Sequence, residues 1–140
     1  MTSKECFLGA WKLLSVETRD ENDELIRSGK RTGYLIYSPE GYMSVSFMKE
    51  GRPSFKAGDI RGGTVEEKIA AINGFLSYAG QYSIENDEVS HHIEVSLFPN
   101  WVGETQVRKF KIVDNLLTLS TPLMLVGGRK ISTHLVWEKL

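Results

Sequence analysis

The sequence predicts an all-β domain, an eight-stranded up-and-down antiparallel barrel with one α-helix between its third and fourth strands. Three observations carry this. Apolar and polar residues alternate with period two through eight stretches. The later stretches are joined by short turn sequences that force neighbours to pair as hairpins. Consecutive hairpins with one apolar side close most economically on themselves, which removes exposed edges. A chain of 140 residues, 41% hydrophobic and 25% charged, is the size of one such domain, so residues 1–140 are taken as a single unit.

The elements follow in order. Ala10–Thr18 reads as the first strand, Thr32–Tyr37 as the second and Tyr42–Met48 as the third, with Ser38-Pro39-Glu40-Gly41 turning between the last two. Lys49–Gly63 carries Gly51, Pro53, Gly58, Gly62 and Gly63 and reads as an irregular connection. Thr64-Val65-Glu66-Glu67 has the form of a capping box, and Val65, Ile69, Ile72 and Leu76 recur at helical spacing, so one amphipathic helix runs to about Leu76. The remaining strands are Ser77–Glu85, Glu88–Phe98, Glu104–Val113, Leu116–Ser120 and Lys130–Glu138.

Turn lengths fix the pairing. With Asn86-Asp87 as a two-residue turn, Ile84 lies opposite Val89 and Tyr82 opposite His91. With Asp114-Asn115 as the next, Ile112 faces Leu117 and Phe110 faces Leu119, and Arg108 projects on the same side. The loop Pro99–Gly103, in a simple register, sets Arg108 near Ile93.

Alternation then sorts the side chains. Trp11, Leu13, Ser15, Leu35, Val45, Ile84, Ile93, Val95, Leu117, Leu119, Ile131, Thr133, Leu135 and Trp137 face inward. With them come the candidate ligand-binding residues Tyr37, Met43, Phe47, Tyr78, Tyr82, His91, Arg108 and Phe110. A barrel filled by its own side chains would show the same pattern. His91 is the informative member, because an imidazole on an apolar face is either a satisfied core group, bonded to Tyr82 or a carbonyl, or part of a pocket. Arg108, costly to bury alone, either stacks on Trp11 or Trp137 or meets a ligand. His92 and Glu94 fall on the opposite, solvated face, with His134 also outside. Leu14 and Val16 are the outward apolar positions that would permit a homodimer.

Charge and motifs exclude several classes. Seventeen basic and eighteen acidic residues give a net charge of −1 with no run of one sign, which argues against nucleic acid or membrane surfaces as partners. Met1–Phe7 lacks an apolar leader core and no segment is long enough to span a bilayer, so a cytoplasmic location is expected. Cys6 is the only cysteine, which rules out an intramolecular disulfide; no metal site or cofactor is expected. No Ser-His-Asp order or Gly-x-Ser-x-Gly elbow is present, and Gly127-Gly128-Arg129-Lys130 precedes a strand, so it is a turn and not a phosphate loop.

Gly9-Ala10-Trp11-Lys12-Leu13 resembles the Gly-x-Trp signature that opens lipocalin-type barrels. Gly33-Tyr34-Leu35-Ile36-Tyr37, Gly41-Tyr42-Met43-Ser44, Tyr78-Ala79-Gly80-Gln81-Tyr82, His91, Arg108, Leu117-Thr118-Leu119 and Leu135-Val136-Trp137-Glu138 follow in an order and spacing similar to the small lipocalin-like domain family of bacteria and fungi. The resemblance runs nearly end to end. It implies an eight-stranded calycin-type barrel that associates with small apolar molecules, and it implies no single reaction. Two function classes follow. The first is binding of a small, largely apolar ligand whose carbonyl or carboxylate is held by Arg108 and His91. The alternative is a cofactor-independent isomerase or cyclase acting on a polyketide-like or terpenoid-like substrate, with His91 as the candidate catalytic proton carrier.

Overall fold

The first strand, β1 (Gly9–Arg19), pairs along its length with the last, β10 (Arg129–Lys139), and this closes the sheet into a barrel. The computed structural model describes residues 4–140. The expectation drawn from Met1–Phe7 therefore lies partly outside the described residues. Between the two closing strands run β2 (Leu25–Gly29), β3 (Arg31–Tyr37), β4 (Tyr42–Lys49), the helix α1 (Val65–Asn73), β5 (Phe75–Glu85), β6 (Glu88–Ser96), β7 (Thr105–Val113), β8 (Leu116–Ser120) and β9 (Met124–Val126).

These ten strands make eight staves. β2 and β3 both pair with β1 and are separated only by Lys30, so they form one bent stave. β8 and β9 both pair with β10 and are separated by Thr121-Pro122-Leu123, where Pro122 has no N–H for the ladder. The eight-stranded antiparallel barrel expected from the sequence is therefore present, with two short upper segments beyond the expected strands. Counting staves, the helix follows the third; counting strands, it stands between β4 and β5. The upper segments escape a period-two reading because Leu25-Ile26-Arg27-Ser28-Gly29 is short and mostly exposed.

Turn chemistry behaves as the sequence implies. Asn86 and Asp114 adopt left-handed φ of 57° and 54°, the conformation that a tight hairpin demands and that Asn and Asp tolerate. The expected pairs Tyr82 with His91 and Phe110 with Leu119 are both present. The β6–β7 register differs. Arg108 lies opposite Val89 and not Ile93, because Pro99–Trp101 forms a 3-10 turn and the ladder ends where the Ile93 N–H donates to the Glu104 carbonyl and the Ile93 carbonyl accepts from Gly103. The Thr64 capping box is formed in both directions, but α1 stops at Asn73. Gly74 donates to Ala70 and Ile72 there, and Leu76 belongs to β5.

Two bulges correct the inward set. The β1–β10 register slips between Leu13 and Ser15, after which Val16 and Thr18 turn inward. Ser15 is then no longer an interior position, and Val16, expected outside, packs against the core. The β5–β6 register slips between Ala79 and Gly80, and Val95, expected inside, is 67% exposed.

One end of the barrel is solid. Phe7 follows a 3-10 turn at Lys4–Cys6, is fully buried, and sets its ring edge-on against Tyr37 and Phe110 with centroids 5.3 and 4.7 Å away. Its carbonyl accepts the Trp11 indole N–H at 2.9 Å. Burying a ring of this size contributes about 2–3 kcal/mol, so the plug is a structural element in its own right. Gly80 is held more tightly still, since a Cβ there would overlap the His92 carbonyl oxygen across the bulge. Gly80→Ala is expected to cost about 3 kcal/mol or more in urea denaturation. Thr64→Ala, which removes a helix cap on the exterior, should cost about 1 kcal/mol. Equal small effects would contradict the bulge geometry.

Candidate functional site

Above the plug the barrel encloses a cavity of about 540 Å³, within the usual range for small-molecule sites. Leu35, Val45, Leu119 and Leu135 form its apolar wall. Leu35, Val45, Tyr78, His91, Arg108, Leu119 and Trp137 mark its deep end, because the cavity takes in no residue further down their strands toward Phe7; Tyr78, His91, Arg108 and Trp137 are the members with polar atoms. Phe98, Trp101, Arg27, Arg31 and the residues of β9 frame the mouth. Residues 48–75 contribute nothing to the lining, and α1 packs against β5.

His91 sits at the floor, 1% exposed, clamped between two phenols. Tyr37 Oη is 2.7 Å from Nε2 and Tyr78 Oη is 2.7 Å from Nδ1. These partners replace the expected Tyr82, whose hydroxyl donates instead to the Ser38 carbonyl at 2.8 Å. Burial, then the charges of Arg108 and His92, lower the His91 pKa to about 3, so the ring is neutral at ordinary pH. Burial likewise raises both phenols, Tyr37 well above its ordinary value, while the Arg108 guanidinium pulls Tyr78 the other way.

A neutral imidazole has one donor and one acceptor, so the two contacts must run in sequence. Tyr37 lies below the cavity with His91 as its only hydroxyl partner among the described residues. Were Tyr37 the acceptor, its own proton would be buried without a partner, at a cost of about 1–3 kcal/mol. Tyr37 therefore donates to Nε2, and Nδ1–H donates to Tyr78. The Tyr78 proton is left to point into the cavity that its side chain lines. This chain of donors presents an O–H to a ligand and offers no strong base: a group with a pKa of about 3 is far from the value that general-base work at neutral pH requires.

Arg108 is 5% exposed; one nitrogen donates to Gln106 Oε1 at 3.3 Å and to the Val107 carbonyl at 3.2 Å, and the guanidinium also acts on the Tyr78 hydroxyl beside it. It makes no ring contact with Trp11 or Trp137; the ammonium of Lys139 lies over Trp11 instead. Trp137 Nε1 is the one buried side-chain polar atom among the described residues that lacks a partner.

The sequence-derived candidates thus divide into two layers. Phe47, Tyr78, His91 and Arg108 line the cavity. Tyr37, Met43, Tyr82 and Phe110 do not reach it; they belong to the packed layer beneath, where Tyr37 stacks edge-on with Tyr82 and Phe7. His92 is exposed as expected, bonded to Ser83 and Thr105. The sequence reading missed Val16 and Thr18, which follow a bulge; Arg27, which lies in a strand it did not foresee; Phe98 and Trp101, which lie beyond the end of β6; and Arg31 and Gln106, which share the inward phase of Leu35 and Arg108 but are polar and near their strand ends. Among the described residues, no group of three His, Cys, Asp or Glu is placed to hold a metal, and no helix is long and apolar enough to cross a membrane.

Comparison with known proteins agrees with this geometry. The profile of the lipocalin-like domain family matches residues 8–140. A relative from Aspergillus oryzae, the 4'-hydroxy-3'-methoxypropiophenone carrier protein ppsC, is 36% identical over 108 residues, covering 70% of this chain and 96% of its own. A lipocalin-like protein from Bacteroides uniformis shares the fold with a TM-score of 0.53 at 14% identity, covering 96% of this chain and 99% of its own.

Two outcomes test the clamp. Nitrogen NMR should find His91 protonated at Nδ1 and bare at Nε2; the opposite tautomer would contradict the order of donors. The second concerns pH. Because the folded pKa of His91 lies below the unfolded value, the unfolded chain holds one more proton between about pH 6.5 and 3. The stabilisation is whole above about pH 6.5 and is lost as pH falls toward 3, by on the order of 4 kcal/mol. His91→Gln should therefore flatten the acid limb of a stability-versus-pH curve; a wild-type ring that titrates near pH 6 would contradict the burial.

Proposed function

The chain belongs to the lipocalin-like domain family, and on that footing we propose that it is a carrier that holds one small, largely apolar molecule inside the barrel. One observation carries the reading: a cavity with an apolar wall has all its deep polar groups gathered at one end. Such an arrangement buries a hydrophobic body while orienting a single polar terminus. Arg108 and the Tyr78 hydroxyl, aligned by His91 and Tyr37, would take a carbonyl or carboxylate oxygen. Phe98 and Trp101, packed edge-on at 5.6 Å, would cover a flat ring at the mouth. The relative named as a carrier of a hydroxy-methoxy aryl ketone supports an aromatic ligand of comparable size for this chain. No observation favours a reaction in the cavity, since neutral His91 has both ring nitrogens engaged.

A ligand that binds only the folded chain raises the melting temperature in proportion to its excess over Kd, by about 2.7 kcal/mol of stability at a hundredfold excess. Aryl ketones and aryl acids should therefore shift the melting of the wild-type chain by several degrees. Thr133→Trp fills the cavity from β10 and should abolish the shift while the unliganded chain still melts cooperatively. Retention of the shift in that variant would place the ligand elsewhere and overturn the proposal.

A further inference from the structure

The cavity has one sign of charge. Arg108 lies at its depth and Arg27 and Arg31 at its mouth, and among the described residues no Asp or Glu lines it. Nor is any of the three neutralised from outside, since the only ion pair among the described residues joins Arg19 to Glu17. Arg108 is the informative one. A guanidinium carries five N–H donors in a rigid fork, and here the groups it meets are neutral: Gln106 Oε1 and the Val107 carbonyl through one nitrogen, and the Tyr78 hydroxyl. Removing that cation from water without a counter-charge is expensive, and neutral acceptors offset only part of the cost. The neighbouring groups repeat the pattern. With Tyr37 donating to His91, the Tyr78 proton is left for the cavity, and the Trp137 indole N–H is buried with no acceptor. The deep end of the site therefore supplies donors and a positive charge and asks for an acceptor with negative charge.

We propose that the ligand of this barrel carries an oxyanion, a carboxylate or an ionised phenol, that seats against the unpaired charge of Arg108 and accepts from the Tyr78 hydroxyl, while Arg27 and Arg31 draw it to the mouth. The inference rests on the carrier reading above and narrows its ligand class. A planar oxyanion matches the guanidinium fork, which accounts for an arginine at this depth in place of a lysine. Amines are rejected by the same charges.

The test uses the wild-type chain and probes that share one naphthalene body. Calorimetry compares 2-naphthoate with 2-naphthamide, 2-acetylnaphthalene and 2-naphthylmethylammonium. A cyano-substituted 2-naphthol, whose ionised form absorbs at longer wavelength, serves as the phenolate arm. Naphthoate should bind about tenfold or more tightly than the amide and ketone, the worth of one hydrogen bond to a charged group, and the ammonium should not bind. The naphthol should bind as its anion, seen as a fall in its apparent pKa on the protein; anion selectivity in only one of these two arms assigns that oxyanion class. Arg108→Gln should equalise naphthoate and naphthamide. If that buried variant fails to fold, the rim pair Arg27→Gln with Arg31→Gln should slow naphthoate association several-fold and leave naphthamide unchanged. Equal affinity for acid, amide and ketone would overturn the oxyanion inference and leave the carrier reading standing. Failure of every probe to bind would overturn both.

Discussion

Closure of β1 on β10 is the constraint from which the rest follows, because it converts an apolar sheet face into an interior. An open sheet with the same alternation would expose its edges and its greasy side together. Closing eight staves leaves a lumen just wide enough to be filled by side chains or to hold one small ligand. This chain does both, at different heights. Below, Phe7, Trp11, Tyr37 and Phe110 fill the space; above, Leu35, Val45, Leu119 and Leu135 line a wall that does not meet across the lumen, and a hollow remains.

The boundary between the two layers is where the polar chemistry sits. A histidine at that depth is tolerated because it stays neutral and both nitrogens are satisfied by phenols. The neighbouring cation reinforces this, since Arg108 disfavours a second positive charge on the ring. Each group thereby limits what its neighbour can be. His91 is held as a relay of hydrogen bonds, and the Arg108 guanidinium, with no acid lining the cavity, is the strong charge at the deep end of the hollow. The site suits recognition of a polar terminus far better than transfer of a proton.

Much of this was legible in the sequence, and the failures have physical causes. Turn residues such as Asn86-Asp87 and Asp114-Asn115 fix register locally, so the pairs Tyr82 with His91 and Phe110 with Leu119 follow from spacing alone. The longer Pro99–Gly103 connection leaves register free, and Arg108 moved to the level of Val89. Alternation locates interior faces until a bulge adds a residue: Leu14 and Glu94 do so, which exchanges Ser15 for Val16 and turns Val95 out. Which inward residues meet a void and which meet each other was illegible, because alternation carries no height along the barrel axis. Tyr37 and Tyr78 read alike in sequence, yet one is packing and the other is cavity wall.

On this proposal an apolar molecule occupies the lumen with its polar end at the Arg108 level. Intermolecular NOEs between bound 2-naphthoate and methyl-labelled protein test it directly. The account predicts contacts from the ring to the methyls of Val45, Leu119 and Leu135, with the carboxylate-bearing edge nearest the Tyr78 ring. Contacts confined to the exposed apolar residues of α1, Val65, Ile69 and Ile72, with silence from the interior methyls, would contradict it.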